Sequence, residues 1–140
     1  MLVPTDGSRC ATAALELGVD AANAEGAALH ILSVVDVASL GVDVRTDIQT
    51  KALEESADEI VARASEFAEE ASVESVSGAV EFGSSIYGEI LTYVEEHEVD
   101  LVVVGTHGRT GFDRYVLGSV AEKLVRTSPV PVMTVRESED

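Results

Sequence analysis

Residues 101–119 read LVVVGTHGRTGFDRYVLGS, and this stretch decides the fold. Its first four residues, Leu101 to Val104, form the most apolar run in the chain, which is typical of a strand at the centre of a parallel sheet. Glycine-rich sequence follows directly, and a helical pattern begins at Gly118-Ser119. The stretch therefore predicts a central strand, a glycine-bearing loop and then a helix.

Strand and helix patterns alternate on both sides of this stretch. Further strands are predicted at Leu2–Pro4, Ala28–Val35, Val73–Phe82 and Val130–Val135, and a loop at Asp36–Thr46. The weak alternation of the strand at 73–82 indicates a more exposed, outer position. Strands that alternate with helices are typical of a parallel sheet covered by helices. We therefore predict one α/β domain over residues 1–140.

Apolar spacing predicts which face of each helix is buried. The first helix, from Ser8 to a stop at Gly26, is predicted to bury Cys10, Ala14, Leu17 and Ala21. The second helix is predicted to bury Leu53, Ala57, Ile60, Ala64, Phe67 and Ala71. The third helix carries Ile86, Ile90 and Val94, and the last, from Ser119 to about Thr127, carries Val120, Ala121 and Leu124.

The last strand is predicted to lie at a border of the sheet. Pro129 and Pro131 are two residues apart, so both missing N–H groups fall along the same strand edge. An apolar border strand left bare is an aggregation hazard. Pairing with a second subunit would cover it, which predicts a homodimer formed through Val130, Val132, Met133 and Val135.

Composition narrows the class of protein. The chain has 26 acidic and 9 basic residues, a net charge of −17, and hydrophobic residues make up 46% of it. Such a surface repels nucleic acids and anionic membranes, and it suggests adaptation to high salt. No apolar run approaches the ~20 residues of a membrane helix, and no secretory leader opens the chain. We expect a cytoplasmic protein with no nucleic-acid or membrane partner.

Positive charge is concentrated in residues 105–136. That segment holds five basic residues against two acidic ones, so a local place for an anion exists in an otherwise repulsive molecule. Helix-end residues that complement their own dipole would explain Lys123 and Arg126 without any ligand. The single Cys10 lies on a predicted apolar helix face, where a buried, unreactive thiol is expected.

Two loops follow strands at the edge of the sheet where open parallel sheets bind ligands. In the first, Pro4-Thr5-Asp6-Gly7-Ser8, the Asp6 carboxylate can accept hydrogen bonds from a ribose and Gly7 allows close approach of the backbone. Capping of the following helix by Asp6 or Ser8 explains the same residues about as well. The first loop therefore leaves both interpretations open.

In the second loop, glycines from Gly105 to Gly118 allow backbone N–H groups to converge on phosphate oxygens. The helix that begins at Ser119 adds unpaired donors and the positive end of its dipole. The alternative is a capping box, Ser119-Val120-Ala121-Glu122, which would satisfy the helix end with no ligand. For Ser119 alone the two interpretations are even.

The combined spacing Gly105-x2-Gly108-x9-Gly118-Ser119 resembles the signature of the ATP-binding branch of the universal stress protein family. The stretches Leu2–Ser8 and Ser128–Val132 resemble that family's first loop and final strand. The resemblance covers nearly the whole chain. It implies a three-layer fold like that of the adenine nucleotide alpha hydrolases, with five parallel strands in the order 3-2-1-4-5 and helices on both faces.

The same resemblance implies a nucleotide site made by the two loops. It implies adenine near Pro4, Thr5 and Val34, and ribose held by Asp6. It implies phosphates over Gly108, Arg109, Gly118 and Ser119, with the backbone of Val120 nearby and with Gly105 and His107 lining the floor. The ligand would be ATP, or AMP or ADP, and Mg²⁺ would arrive with the phosphates.

The predicted site offers hydrogen-bond donors for a nucleotide but no evident catalytic base, which favours binding over a fast reaction. We predict a nucleotide-dependent regulatory module of the stress response, acting as a dimer. The alternatives are a slow ATPase and a nucleotide-free dimeric scaffold. No resident metal site and no catalytic role for His107 are predicted, and packed or solvated roles are expected for His30 and His97.

Overall fold

The structure, a computed structural model, describes residues 1–37, 47–107 and 117–137. Within those ranges five parallel strands form one sheet in the order β3-β2-β1-β4-β5. The strands are β1 (Leu2–Pro4), β2 (Leu29–Asp36), β3 (Val76–Gly83), β4 (Val102–Gly105) and β5 (Val132–Val135). The predicted fold class is confirmed, with β4 beside β1 at the centre and β3 and β5 at the two edges.

Four helices of the described chain cover both faces of the sheet: α1 (Arg9–Glu25), α2 (Asp47–Glu70), α3 (Ile86–Glu96) and α4 (Ser119–Thr127). Helices α1 and α2 share one apolar core with Val3, Ile31 and Val103 of the sheet. Helices α3 and α4 share the other core with Leu2 and Leu32, among others. The side chains of β1 and β2 thus alternate between two helical layers, as strands covered on both faces must.

The buried face of α1 differs from the predicted one. Cys10 and Ala14 are buried as expected, but Leu17 is 40% exposed and Ala21 is only half-buried. Leu15, Gly18 and Val19 lie on the buried side instead, and a Cβ on Gly18 would lie 2.8 Å from the Cγ2 atom of Val3. Close approach of the helix to β1 therefore selects the face that carries Gly18, together with Leu15 and Val19, and leaves Leu17 on the exposed side.

Two of the six residues predicted on the buried stripe of α2 are also wrong. Ala57 and Ala64 are buried, but Leu53 and Phe67 are 38% and 41% exposed. The helix contacts β3 through Val61, whose Cγ1 atom would lie 2.6 Å from a Cβ placed on Gly78. The gap left by this glycine orients the helix, so Val61 and Ala68 take the buried positions.

Two further predictions concern the edge strands of the sheet and the absence of a membrane-spanning helix. Both border strands lie where they were expected, β3 and β5 at opposite edges. In the described ranges no helix is long and apolar enough to cross a bilayer. The predicted loop at 36–46 lies mostly outside the described residues, and Asp36 itself belongs to β2.

Candidate functional site

The site lies where the direction of winding changes between β1 and β4. The two strands are neighbours, with Leu2 opposite Val102, yet α1 leaves β1 toward one face and α4 lies on the other. The chain segments that follow the two strands therefore diverge. A crevice at the carboxyl ends of the strands is the usual ligand position in such sheets.

A tight turn forms the first wall of this crevice. The Thr5 N–H donates to the Leu32 carbonyl (2.8 Å), which extends the pairing of β1 and β2 by one residue. Gly7 then adopts φ +80°, a left-handed conformation that favours glycine. Its N–H donates to Thr5 Oγ1 (3.1 Å), and the Ser8 N–H donates to Asp6 Oδ1 (2.9 Å). The Asp6 carboxylate is thereby fixed at the crevice.

Helix α1 is capped by Ser8, one of the two alternatives left open for this loop. Its Oγ accepts from the Ala11 N–H at 3.2 Å, and its carbonyl accepts from Thr12 Oγ1 at 3.0 Å. Because Ser8 satisfies the end of α1, the Asp6 side chain is not needed as the cap of that helix.

Pro4 and Val34 lie on the same side of the sheet. Pro4 is opposite Leu32 in the register of β1 and β2, and Val34 is two residues further along β2. Val34 packs partly against the core under α3 and α4, and alternation along β1 puts Pro4 on that same face. Pro4 is buried, whereas Thr5 and Val34 are half-buried. The predicted adenine-side residues therefore converge.

Gly105 ends β4 beneath the first turn of α1. A Cβ at this position would lie 2.7 Å from the backbone carbon of Cys10 and 2.9 Å from its Cβ. The absence of a side chain thus serves the packing of α1 on β4. The resemblance had implied that Gly105 lines the floor of the site; its immediate contact is with the helix behind that floor.

Thr106 connects three parts of the site, and sequence reasoning missed it. Its N–H donates to the Val135 carbonyl (2.9 Å), and its own carbonyl accepts from the Gly118 N–H (2.6 Å). Its Oγ1 lies 3.1 Å from His107 Nδ1. The side chain is only 5% exposed. A polar residue directly after the most apolar strand was the signal available for it.

His107 is half-buried with its two ring nitrogens in different situations. Nδ1 contacts Thr106, whereas Nε2 is buried and has no hydrogen-bond partner among the residues that the structure describes. A buried polar atom without a partner is costly, so a group that donates to or accepts from Nε2 would be stabilising there.

Helix α4 begins without a side-chain cap. Gly118 is the N-cap, with φ −64° and ψ 161°, and as a glycine it has no side chain that could hydrogen-bond the helix end. Ser119 is the first helical residue and is exposed, so the capping box expected as an alternative does not form. Glu122 pairs instead with Arg126 at 3.5 Å. The first-turn N–H groups of α4 therefore donate no hydrogen bond to a side chain of the N-cap residue or to the Glu122 of a capping box.

The family of the chain follows from comparison with known proteins. The profile described as the universal stress protein family matches residues 1–136. This chain belongs to the universal stress protein family. The universal stress protein MJ0531 of Methanocaldococcus jannaschii is 30% identical to it over 140 residues, which are 98% of this chain and 81% of that protein.

Solved structures superpose on this universal stress protein over nearly its whole length. The hypothetical protein MJ0577 superposes with a TM-score of 0.84 at 25% identity, covering 99% of this chain and 96% of that chain. A universal stress protein in complex with cAMP superposes with a TM-score of 0.73 at 26% identity, covering 98% and 96%. Nucleotide binding thus occurs among the structural neighbours of this universal stress protein.

Nine of the eleven predicted site residues of this universal stress protein lie in the described ranges, and all nine are at the edge of the sheet formed by the carboxyl ends of the strands. The first loop supplies Pro4, Thr5 and Asp6, and β2 supplies Val34. The β4 end supplies Gly105 and His107, and the start of α4 supplies Gly118, Ser119 and Val120. The remaining two, Gly108 and Arg109, lie outside the described residues. No cluster of three or more potential metal ligands occurs in the described ranges.

Proposed function

We propose that this universal stress protein is a regulatory module that binds an adenine nucleotide, with ATP as its ligand, in the crevice between β1 and β4. The start of α4, where the N-cap residue Gly118 has no side chain, carries this proposal. Its N-cap is held to β4 by the hydrogen bond from Gly118 to Thr106, at 2.6 Å. This hydrogen bond pre-positions the helix end before a ligand binds, which lowers the cost of ordering it.

A phosphate group suits this helix end. The amides of Ser119, Val120 and Ala121 lack partners four residues earlier in the helix, and the helix dipole adds partial positive charge at the same point. The exposed Ser119 hydroxyl is a further donor. Gly108 and Arg109 complete the phosphate contacts in the proposed site, and Mg²⁺ enters with the phosphates rather than on resident ligands.

The other end of the nucleotide suits the first loop and β2. Pro4 and Val34 offer apolar surface to adenine, and Asp6, oriented by the Ser8 N–H, accepts a ribose hydroxyl. The related structure in complex with cAMP supports an adenine nucleotide as the class of ligand. The choice of ATP rests on the glycine spacing from Gly105 to Ser119.

The proposed module is a cytoplasmic homodimer that works at high salt. The edge position of β5 supports the dimer, because its backbone groups on one side have no partner strand among the described residues. The net charge of −17 supports the high-salt setting and the absence of nucleic-acid partners.

Replacing Gly118 with Val tests the site. The backbone at Gly118 lies in a region open to any L-residue, so the variant should fold, but its side chain would crowd the first-turn amides. We expect ATP affinity, measured by calorimetry at high salt, to fall roughly tenfold or more.

Ser128→Val, at the opposite end of the same helix, is the matched control and should leave ATP affinity unchanged. Unchanged affinity in Gly118→Val would contradict the proposed site. No binding of ATP, ADP or AMP by the unaltered protein would instead favour the nucleotide-free scaffold.

A further inference from the structure

Lys123 lies at the edge of the candidate site without a carboxylate partner among the described residues. It is exposed on the second turn of α4, and its Nζ lies 4.9 Å from the centroid of the Tyr87 ring. Tyr87 is the second residue of α3 and is half-buried. Both helices begin at the carboxyl ends of their preceding strands. The contact between Lys123 and Tyr87 therefore joins α3 and α4 on the side of the sheet where the crevice lies.

Two other described cations are instead paired with carboxylates. Arg126 lies 3.5 Å from Glu122, and the Arg9 Nε lies 2.8 Å from Glu137. An aromatic ring attracts an ammonium group through its quadrupole but carries no net charge. The positive charge of Lys123 is therefore held in place without being neutralised, in a chain that has 26 acidic residues available for pairing.

Lys123 is also within reach of the start of α4. It follows Ser119 by four residues, so the two lie on the same stripe of the helix, about 5–6 Å apart at Cβ. Helical side chains lean toward the amino terminus, which directs the lysine stem toward Ser119. A phosphate bound by the first-turn amides would leave any further phosphates within range of the ammonium group.

We propose that Lys123 is a specificity-determining residue that contacts the distal phosphates and makes the site prefer nucleoside di- and triphosphates to monophosphates. The proposal rests on the proposed function. Tyr87 is a positioning residue, which keeps the ammonium group at the crevice until the phosphates bind. The ring contact is weak at an exposed site, so a polyphosphate chain of several negative charges displaces it.

Calorimetry of ATP and AMP at one fixed salt concentration tests this assignment. Lys123→Gln should weaken ATP binding roughly five- to thirtyfold and AMP binding less than about threefold, because the second and third phosphates lose their cation. Lys51→Gln, which removes the other lysine from the exposed surface of α2, controls for the loss of one positive charge and should change neither affinity.

Equal losses for ATP and AMP, no loss for ATP, or the same loss in Lys51→Gln would overturn the role of Lys123 while leaving the proposed function intact. Failure of the unaltered protein to bind any adenine nucleotide would reject both proposals together.

The role of Tyr87 has its own readout, the ratio of ATP affinity to AMP affinity. Tyr87→Phe keeps the ring and should keep this ratio, whereas Tyr87→Leu should lower it roughly two- to fivefold. If Tyr87 has only a structural role, Tyr87→Leu should lower the ATP affinity, the AMP affinity and the melting temperature while the affinity ratio stays unchanged. That result would reject Tyr87 as a positioning residue.

Discussion

Gly105 shows how one residue of a glycine spacing that resembles a ligand-binding signature can serve packing. Its Cα faces the first turn of α1, and any side chain there would meet the Cys10 backbone at 2.7 Å. Backbone atoms cannot swing aside as a flexible side chain can, so the helix itself would have to shift. The shift would also move Ser8 and the first loop, which connects the packing of this glycine to the geometry of the site.

Gly105→Ala should therefore lower the free energy of unfolding by about 2–3 kcal/mol, measured by urea denaturation. Gly26→Ala is the matched comparison. Gly26 has no atom within 4 Å of an added Cβ but has φ +64°, so its cost is backbone strain alone, about 1 kcal/mol. Equal losses in the two variants would show that the contact with Cys10 relaxes without cost.

At the scale of elements, β2 and α3 are connected by a cluster of three rings. His30 Nδ1 lies 2.8 Å from the Tyr93 hydroxyl, and the Tyr93 ring stacks on His97 at 3.8 Å between centroids. Burial raises the pKa of Tyr93, and the Glu81 carboxylate raises it further. Packed or solvated roles were expected for His30 and His97, and these contacts show that both are packed.

The cluster predicts a pH dependence of stability. Burial lowers the pKa of His30 below its usual 6.5, and the charges of the amino terminus and His97 lower it further. The unfolded chain then binds more protons than the folded one as pH falls below 6.5, so the free energy of unfolding should decrease in that window and level off below the folded pKa.

Two measurements check this dependence. An NMR titration of the His30 imidazole should give a midpoint below 6.5. Unfolding at a series of pH values should show a smaller decrease in His30→Gln, which cannot titrate, than in the unaltered protein. A midpoint at or above 6.5 would contradict the prediction.

At the scale of the whole molecule, the negative net charge opposes the association of subunits that the edge strand β5 favours. Met133 is 41% exposed on this edge strand, and Val132 and Val135 are half-buried. Association would cover them, but two subunits of charge −17 repel each other until salt shortens the range of the repulsion. We therefore expect a homodimer that strengthens with salt.

Sedimentation at low salt and at about 1 M salt, where screening acts over about 3 Å, tests this expectation. Met133→Glu should shift the high-salt species to the mass of one subunit. Leu53→Glu adds the same charge at another exposed apolar residue, on α2 beside the opposite edge, and should remain a dimer. A monomer at every salt concentration would reject the proposed assembly.

Local patterns were sufficient for much of the architecture. The run from Leu101 to Val104 predicted a central strand, the two prolines before β5 predicted an edge, and Ser119 to Thr127 matched α4. These features depend on the hydrophobic periodicity of helices and strands and on the N–H groups that proline lacks. Both can be recognised from residues that are close together in the sequence. Element order and type were therefore readable from the sequence.

Choices that depend on distant partners were decided by the tertiary structure alone. The apolar residues of α1 and α2 allowed several buried faces, and contacts with Val3 and Gly78 selected faces that exposed Leu17 and Phe67. Likewise, the position of the start of α4 relative to β4 depends on the hydrogen bond from Gly118 to Thr106, across the sheet-to-helix loop. Packing and long-range hydrogen bonds depend on atoms far apart in the chain, so no local spacing records them.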